Sequence, residues 1–451
     1  MIKQIYQIIK HLSELKGSKA KSEYIKEIYN TQNQDVLNVL TVILSIQFDP
    51  RIKTNIGSKS LSKKFNTIET IRAFNDFNDF LFFIMNGSGT DNSIRAIQNY
   101  INETREQYGN DIADFIKNLS IQNLKLGITG ESINKALNKK LIYTWGVWKG
   151  HTLTDYDKLK DREIIVTPKL DGYRICITGN KVISPNGLEE SLDMYPEIQR
   201  ELKIHKELTG FDLDNIILDG EMLYNGDEDI DRITRYNKTS SIMGSKGEKR
   251  NLCFNVFDFI QKNEFESGIS KQNTLDRKHE IIKFLGYCNN KYIKGVKILY
   301  LGKDIEIIKN LFQEAILNGD EGLILQTTDS KYETRKVSDG MWKLKVRETA
   351  DLRIVGFEEG KETGKNKGTL GMMLVEYKGG ICGVGSGFKE LRNDEKYPIE
   401  HTRDWIWQHQ NELIGKIVEI EYDENKDKYG NYNLRHGVFL RFRPDKNVPS
   451  Y

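Results

Sequence analysis

Lys169-Leu170-Asp171-Gly172-Tyr173-Arg174 follows an apolar stretch and opens a series of charged and aromatic clusters. The others come in the order "ILDGEMLY" at 217, "FNVFDF" at 254, "DEGLILQ" at 320, "MWKLKV" at 341 and "FLRFRPDK" at 439. A lysine, an aspartate and a glycine in four residues describe a turn as readily as a site, so the ordered set carries the information. Around the clusters, short β-type runs recur at Glu163 to Val166, Tyr173 to Thr178, Ile216 to Leu218, Leu252 to Asp258 and Gly322 to Gln326. Helical periods over 274–285 and 304–317 lie between them, which predicts an α+β domain built on antiparallel sheet. Lys343 and Lys345 alternate with Trp342 and Leu344, so strand geometry sends both ammonium groups to one face.

Outward from this centre the pattern changes on both sides. Residues 1–145 place apolar side chains at helical spacing, as in Ile2, Ile5, Ile8, Ile9, Leu12 and Leu15 and again over Val36 to Ile46, predicting an all-α domain. Gly87 to Asp91 reads as a loop leading into a helix, and breaks at glycine and asparagine prevent a sustained coiled-coil heptad. Beyond about 349, strands near 351–358, 370–377, 380–384, 416–422 and 436–442, with a helix around 399–412, predict a small β-barrel of OB type. The segment "GKETGKNKG" at 360–368 is either a loop touching a polyanion or a solvated hairpin tip.

At 451 residues the chain has room for two or three cores, which excludes a single small binding module. Net charge is +2, yet residues 1–150 hold 20 Lys and Arg against 14 Asp and Glu, a bias that suits phosphate backbones. Cys176, Cys253, Cys288 and Cys382 are widely separated, which argues against a zinc cluster or a disulfide scaffold and points to a reducing compartment. No stretch approaches the roughly 20 apolar residues of a membrane span, and the start lacks a secretory pattern. An intracellular protein with no membrane partner is expected.

The ordered clusters resemble the nucleotidyltransferase motifs of the ATP-dependent DNA ligases, a superfamily shared with RNA ligases and mRNA capping enzymes. The resemblance runs from about 160 to 446. The helical region, with "LKLGITGESINKALN" at 124–138, resembles the DNA-binding domain of phage and viral ligases. It implies three units: a helical DNA-binding domain over 1–145, an adenylation domain of ATP-grasp-like nucleotidyltransferase fold over 146–348, and an OB-fold domain over 349–451.

What the resemblance implies for single residues follows from matching positions. Lys169 becomes the nucleophile that takes AMP, and an amine does so only when deprotonated, which asks for neighbouring cations or partial desolvation. Asp171 and Gly172 shape its loop, with Thr167 and Leu170 beside the nucleotide. Arg174 would contact the nucleotide or a 5′-phosphate, and Phe257 would stack on adenine unless it is a core phenylalanine. Glu221 would hold the ribose or a metal, Asp219 would add to the same carboxylate wall, and Glu221 with Glu321 suits Mg²⁺ or Mn²⁺, which take oxygen ligands. Lys343 and Lys345 would bind the α-phosphate. Arg443, Asp445 and Lys446 would orient the pyrophosphate once the barrel closes about a hinge at Lys345 to Asp351.

One position departs from the family pattern: where many members read Ser-Arg-x-Gly, this chain has Ser184-Pro185-Asn186-Gly187. Lys181 or a residue from another domain then supplies the missing phosphate contact, or binding is weaker. "GVGSGF" at 383–388 matches a glycine-rich barrel segment whose Gly385 and Gly387 would let the backbone approach DNA, although glycines at barrel bends look the same.

The resemblance thus implies an ATP-dependent, not NAD-dependent, ligase sealing nicked double-stranded DNA, acting as a monomer that encircles its substrate, with no evident sliding-clamp motif. Its short layout and abundant Lys, Asn and Ile suggest a phage or virus working in host cytoplasm. An RNA ligase, a capping guanylyltransferase and a silent end-binding clamp are the alternatives.

Overall fold

The structure, a computed structural model, describes residues 1–65, 72–226, 230–286, 291–345, 348–361, 364, 366–389, 397–426 and 431–451. Cys288 and parts of two expected features, the 360–368 loop and the hinge at Val346 and Arg347, lie outside these residues.

The first region is all helix. Ile2, Ile5, Ile8, Ile9 and Leu12 are buried along helix Ile2–Glu14, as their spacing predicts, and Leu40, Ile43 and Leu44 of helix Gln34–Phe48 pack into the same core. Helix Asp91–Tyr108 begins where expected: the Thr90 hydroxyl accepts from the Ser93 backbone N–H at 3.3 Å and caps it. Thr129 caps helix Gly130–Leu137 in the same way.

The centre is a mixed α/β unit with a nucleotidyltransferase-like arrangement of two main sheets. One has the strand order Lys149–Thr152, Val337–Lys345, Gly322–Thr327, Ile164–Pro168, Tyr300–Gly302. The other runs Glu189–Ser191, Lys181–Ile183, Tyr173–Thr178, Ile216–Tyr224, Leu252–Gln261, Ile293–Gly295. Antiparallel pairing dominates, as expected, but the edge strands Lys149–Thr152 and Ile293–Gly295 each join in parallel. Both are short segments that reach the sheet from a connection rather than a hairpin. Helices Thr274–Leu285 and Ile305–Leu317 fall on the predicted spans.

The last region is a curled antiparallel sheet, an OB-fold-like half-barrel. Its strand order is Gly380–Val384, Leu370–Tyr377, Glu348–Glu359, Ile417–Lys426, Tyr432–Phe442. A parallel bridge, Ser386 to Val438, draws the two ends of the curl together. Alternate residues of these strands, among them Leu352, Ile354, Val375, Val418 and Ile420, fill its interior.

Candidate active site

A cavity of about 250 Å³ separates the two central sheets. Strand Ile164–Pro168 runs directly into Lys169, whose backbone N–H donates to the Gly322 carbonyl at 2.8 Å. Gly322 has φ +137°, and a Cβ there would lie 2.0 Å from the Leu344 carbonyl oxygen, so only glycine fits between these strands. That contact fixes Glu321 against the lysine, and the Lys169 ammonium and Glu321 carboxylate form a largely buried ion pair. Thr167, Lys169, Leu170 and Lys343 line the cavity from this sheet.

Arg174, Glu221 and Phe257 line it from the facing sheet, where Arg174 pairs in register with Glu221. The Arg174 guanidinium donates to both oxygens of Asp219, at 3.0 and 2.6 Å, and sits 5.1 Å from the Phe257 ring centre. Asp219 is fully buried and also accepts from the Tyr332 hydroxyl at 2.6 Å. Expected on the wall, Asp219 is instead the anchor behind it. Burial opposes the Arg174 charge, but Asp219 outweighs that and raises its pKa, so the cation is permanent. Behind Phe257, the Lys278 ammonium donates to its backbone carbonyl and buried Arg277 holds Asp258 at 2.7 Å. The aromatic side chain therefore stands on a rigid support.

The electrostatics are those of a site short of partners. Burial pushes the Glu221 carboxyl up to about 8, with Arg174 and Lys169 pulling the other way and Glu321 and Asp219 adding to the rise. Burial lowers the Lys343 pKa, helped by the positive charges of Lys169, Lys345 and Arg174. A polyphosphate with a bound cation would relieve both. Among the described residues no group of three or more His, Cys, Asp or Glu could form an all-protein metal cage. Two glutamates beside a phosphate chain nevertheless fit Mg²⁺ or Mn²⁺, which are commonly held by one or two carboxylates plus substrate oxygens.

Other expected residues lie elsewhere. Lys345 lines a separate 210 Å³ cavity with Tyr422, Asp423 and His436 of the half-barrel, one alternation beyond Lys343. Arg443 and Lys446 do not line the main cavity: both bind Asp351 within the half-barrel, Arg443 at 2.8 Å, and Arg443 also grips Asp445. The half-barrel touches the loop that follows Lys169 through Arg435 instead, which donates to Asp171 at 3.1 Å and lies 4.0 Å over the Tyr236 ring. Arg232 holds the other Asp171 oxygen at 3.0 Å. Lys181 pairs with Glu189 on a hairpin outside the cavity. Gly387 has φ +93°, and a Cβ there would meet the Phe439 carbonyl at 2.1 Å, while Gly385 accepts from Arg403 at 2.7 Å. Packing within the half-barrel thus accounts for Gly387 without any ligand.

Arg232, Arg435, Val296, Met341 and Gln326 complete these surroundings and were not singled out from sequence. Only Gln326 and Met341 stood inside quoted clusters, and alternation along their strands would have turned them to the face of Ile324 and Lys343.

Part of the chain is similar in sequence to known proteins. The sequence model of the ATP dependent DNA ligase domain matches residues 146–345. The ligase-like segment thus spans the two-sheet unit and every cavity-lining residue. A probable DNA ligase of Beutenbergia cavernae is 30% identical over 154 residues, 31% of this chain and 29% of that protein. The DNA ligase of Methanococcus maripaludis is 25% identical over 319 residues, 62% of this chain and 53% of its own length. Against the curated relatives named here, the chain spans about half of their length or less. The solved structure "Pmar-Lig_Pre." superposes over 98% of this chain and 99% of its own with a TM-score of 0.75 at 21% identity, which extends the shared fold to all three regions.

Proposed function

We propose that the chain is an ATP-dependent DNA ligase that seals 5′-phosphate/3′-hydroxyl nicks through a lysine-AMP intermediate. The observation that carries this reading is the Lys169–Glu321 pair facing Arg174, Glu221 and Phe257 across one cavity inside a segment similar to the ligase domain. Lys169 hands a proton away and attacks the α-phosphorus of ATP, and pyrophosphate leaves. The AMP passes to the 5′-phosphate of the nick, and the 3′-hydroxyl then displaces it. Glu321 orients the amine and is the nearest carboxylate able to take its proton. Lys343 and Arg174 offset charge that builds on the phosphoryl oxygens, and Phe257 stacks on the base. A divalent cation held by Glu221 and Glu321 would neutralise charge on the phosphate chain.

In this proposal the units divide at 145/146 and 348/349, and the half-barrel moves so that Arg443 and Lys446 reach the pyrophosphate of ATP. The helical region, the ligase-like unit and the half-barrel together encircle nicked duplex DNA as a monomer, contacting backbone rather than bases. Arg174, Lys181 and the Gly385–Gly387 segment contact that DNA, and Lys345 joins Lys343 in binding the α-phosphate. The Lys-, Asn- and Ile-rich composition is the support for a phage or viral origin and a host-cytoplasm setting.

The test is nick sealing on a 5′-phosphorylated duplex, read on a denaturing gel with ATP, NAD or GTP. Joining with ATP alone, lost in Lys169→Ala, is the expected result. Joining of RNA ends only, or GTP labelling of Lys169, would move the reading to RNA-end or capping chemistry.

A further inference from the structure

The cavity has a charged end and a nearly neutral end, and the neutral end holds a polar group with nothing to do. On strand Gly322–Thr327, Leu323 and Leu325 turn into a hydrophobic core while Ile324 and Gln326 turn toward the cavity. Register places Ile324 opposite Thr167 and Lys343, and Gln326 opposite Met341, one alternation further from Lys345. Gln326 is 3% exposed and Thr167 4% exposed. Neither side chain makes a hydrogen bond among the described residues, and neither has a polar atom sealed away without a partner, so both polar groups open onto the cavity. Two polar groups that open onto one cavity and have no protein partner are placed for a ligand to pair with them.

We infer that Gln326, assisted by Thr167, is the specificity-determining residue that reads the edge of the adenine ring. This rests on the proposed ATP reaction and adds to it the means of base recognition. With the α-phosphorus at Lys169, a nucleotide lying along the sheet carries its base toward Phe257, Val296, Met341 and Gln326. The glutamine amide presents an acceptor beside a donor. Adenine presents the complement, its 6-amino donor beside a ring-nitrogen acceptor, and a planar amide meets both at once. Met341 and Val296 offer apolar contact but no hydrogen bond, so the amide supplies the edge-reading pair on this wall.

The experiment compares ATP with purine riboside triphosphate, which lacks only the 6-amino group, in wild type and Gln326→Met. Two readings are taken: transfer of α-phosphate label to Lys169, and equilibrium binding by calorimetry. Wild type should prefer ATP by roughly 10- to 100-fold, expressed in KM and in the binding constant rather than in kcat. In Gln326→Met, a volume-conserving change, that preference should collapse toward unity through weaker ATP binding. Equal treatment of the two nucleotides by wild type overturns the inference without any variant being needed, and so does a preference that survives in the methionine variant. Should wild type bind both nucleotides but label with neither, the proposed reaction fails, and the calorimetric ratio still decides the role of Gln326.

Discussion

The inter-sheet cavity and the half-barrel both gather charged side chains, yet they treat them in opposite ways. At the half-barrel, Asp351 accepts from Arg443, Lys446 and Ser450, and Asp445 binds Arg443 again, so the cluster is self-satisfied. In the cavity, Glu221 is pushed up to about 8 by burial and Lys343 is lowered by burial and by neighbouring cations. The first arrangement is stable as it stands. The second leaves burial and like charge uncompensated, the pattern that sets a candidate binding or catalytic site apart from a structural ion-pair network.

The largest effect that sharpens this contrast belongs to Lys169→Ala, which should reduce labelling by α-labelled ATP to background while leaving calorimetric ATP binding within about tenfold. Loss of binding with loss of labelling would make the lysine a phosphate anchor rather than the nucleophile. Next comes Lys343→Ala, expected to slow single-turnover labelling by roughly 10²- to 10³-fold. A rate within a few-fold of wild type would remove Lys343 from the phosphoryl-transfer machinery.

Asp351→Asn strips the half-barrel cluster of its common acceptor and should destabilise the protein by roughly 2 kcal/mol, read in chemical denaturation. Labelling should fall less than in Lys343→Ala. If the order reversed, the half-barrel cluster would already act in the chemistry from its position here.

A subtler test uses pH. The Glu221 carboxyl titrates near its ordinary 4.5 when unfolded and at about 8 when folded. Across that interval the unfolded chain gives up a proton that the nucleotide-free fold keeps. Its contribution to stability is therefore intact below about 4.5 and lost as pH rises through about 8. Thermal melts at pH 5 and pH 8 should show a smaller drop for Glu221→Gln than for wild type. Equal drops would mean that the carboxyl is not desolvated. The smallest effect is expected from Arg435→Ala, which should leave labelling within a few-fold yet widen the distribution of shapes seen by small-angle scattering.

Much of this was legible in the sequence because strand alternation and helical spacing are local. The helices over 1–145, strands such as Tyr173–Thr178 and Leu370–Tyr377, and helix Thr274–Leu285 fall where periodicity puts them. The cavity brings together Thr167, Lys169, Leu170, Arg174, Glu221, Phe257 and Lys343, all singled out beforehand. What stayed hidden depends on contacts between distant segments. Asp219 reads as one more wall carboxylate until Tyr332 is found against it, 113 positions away. Arg435 gives no local sign that it meets Asp171, and Arg443 and Lys446 could not be placed because a motif does not state the orientation of the unit carrying it.

Gly322 bears on how tolerance to substitution will be distributed. Adding even one carbon at this position collides with the Leu344 carbonyl and parts strand Gly322–Thr327 from Val337–Lys345, disturbing the backbone beside Glu321. In a selection for activity, position 322 should be as intolerant as Lys169 itself, although it carries no functional group. A deep mutational map of this chain would therefore register the outline of the scaffold as strongly as its chemistry, and intolerance alone would not separate the two.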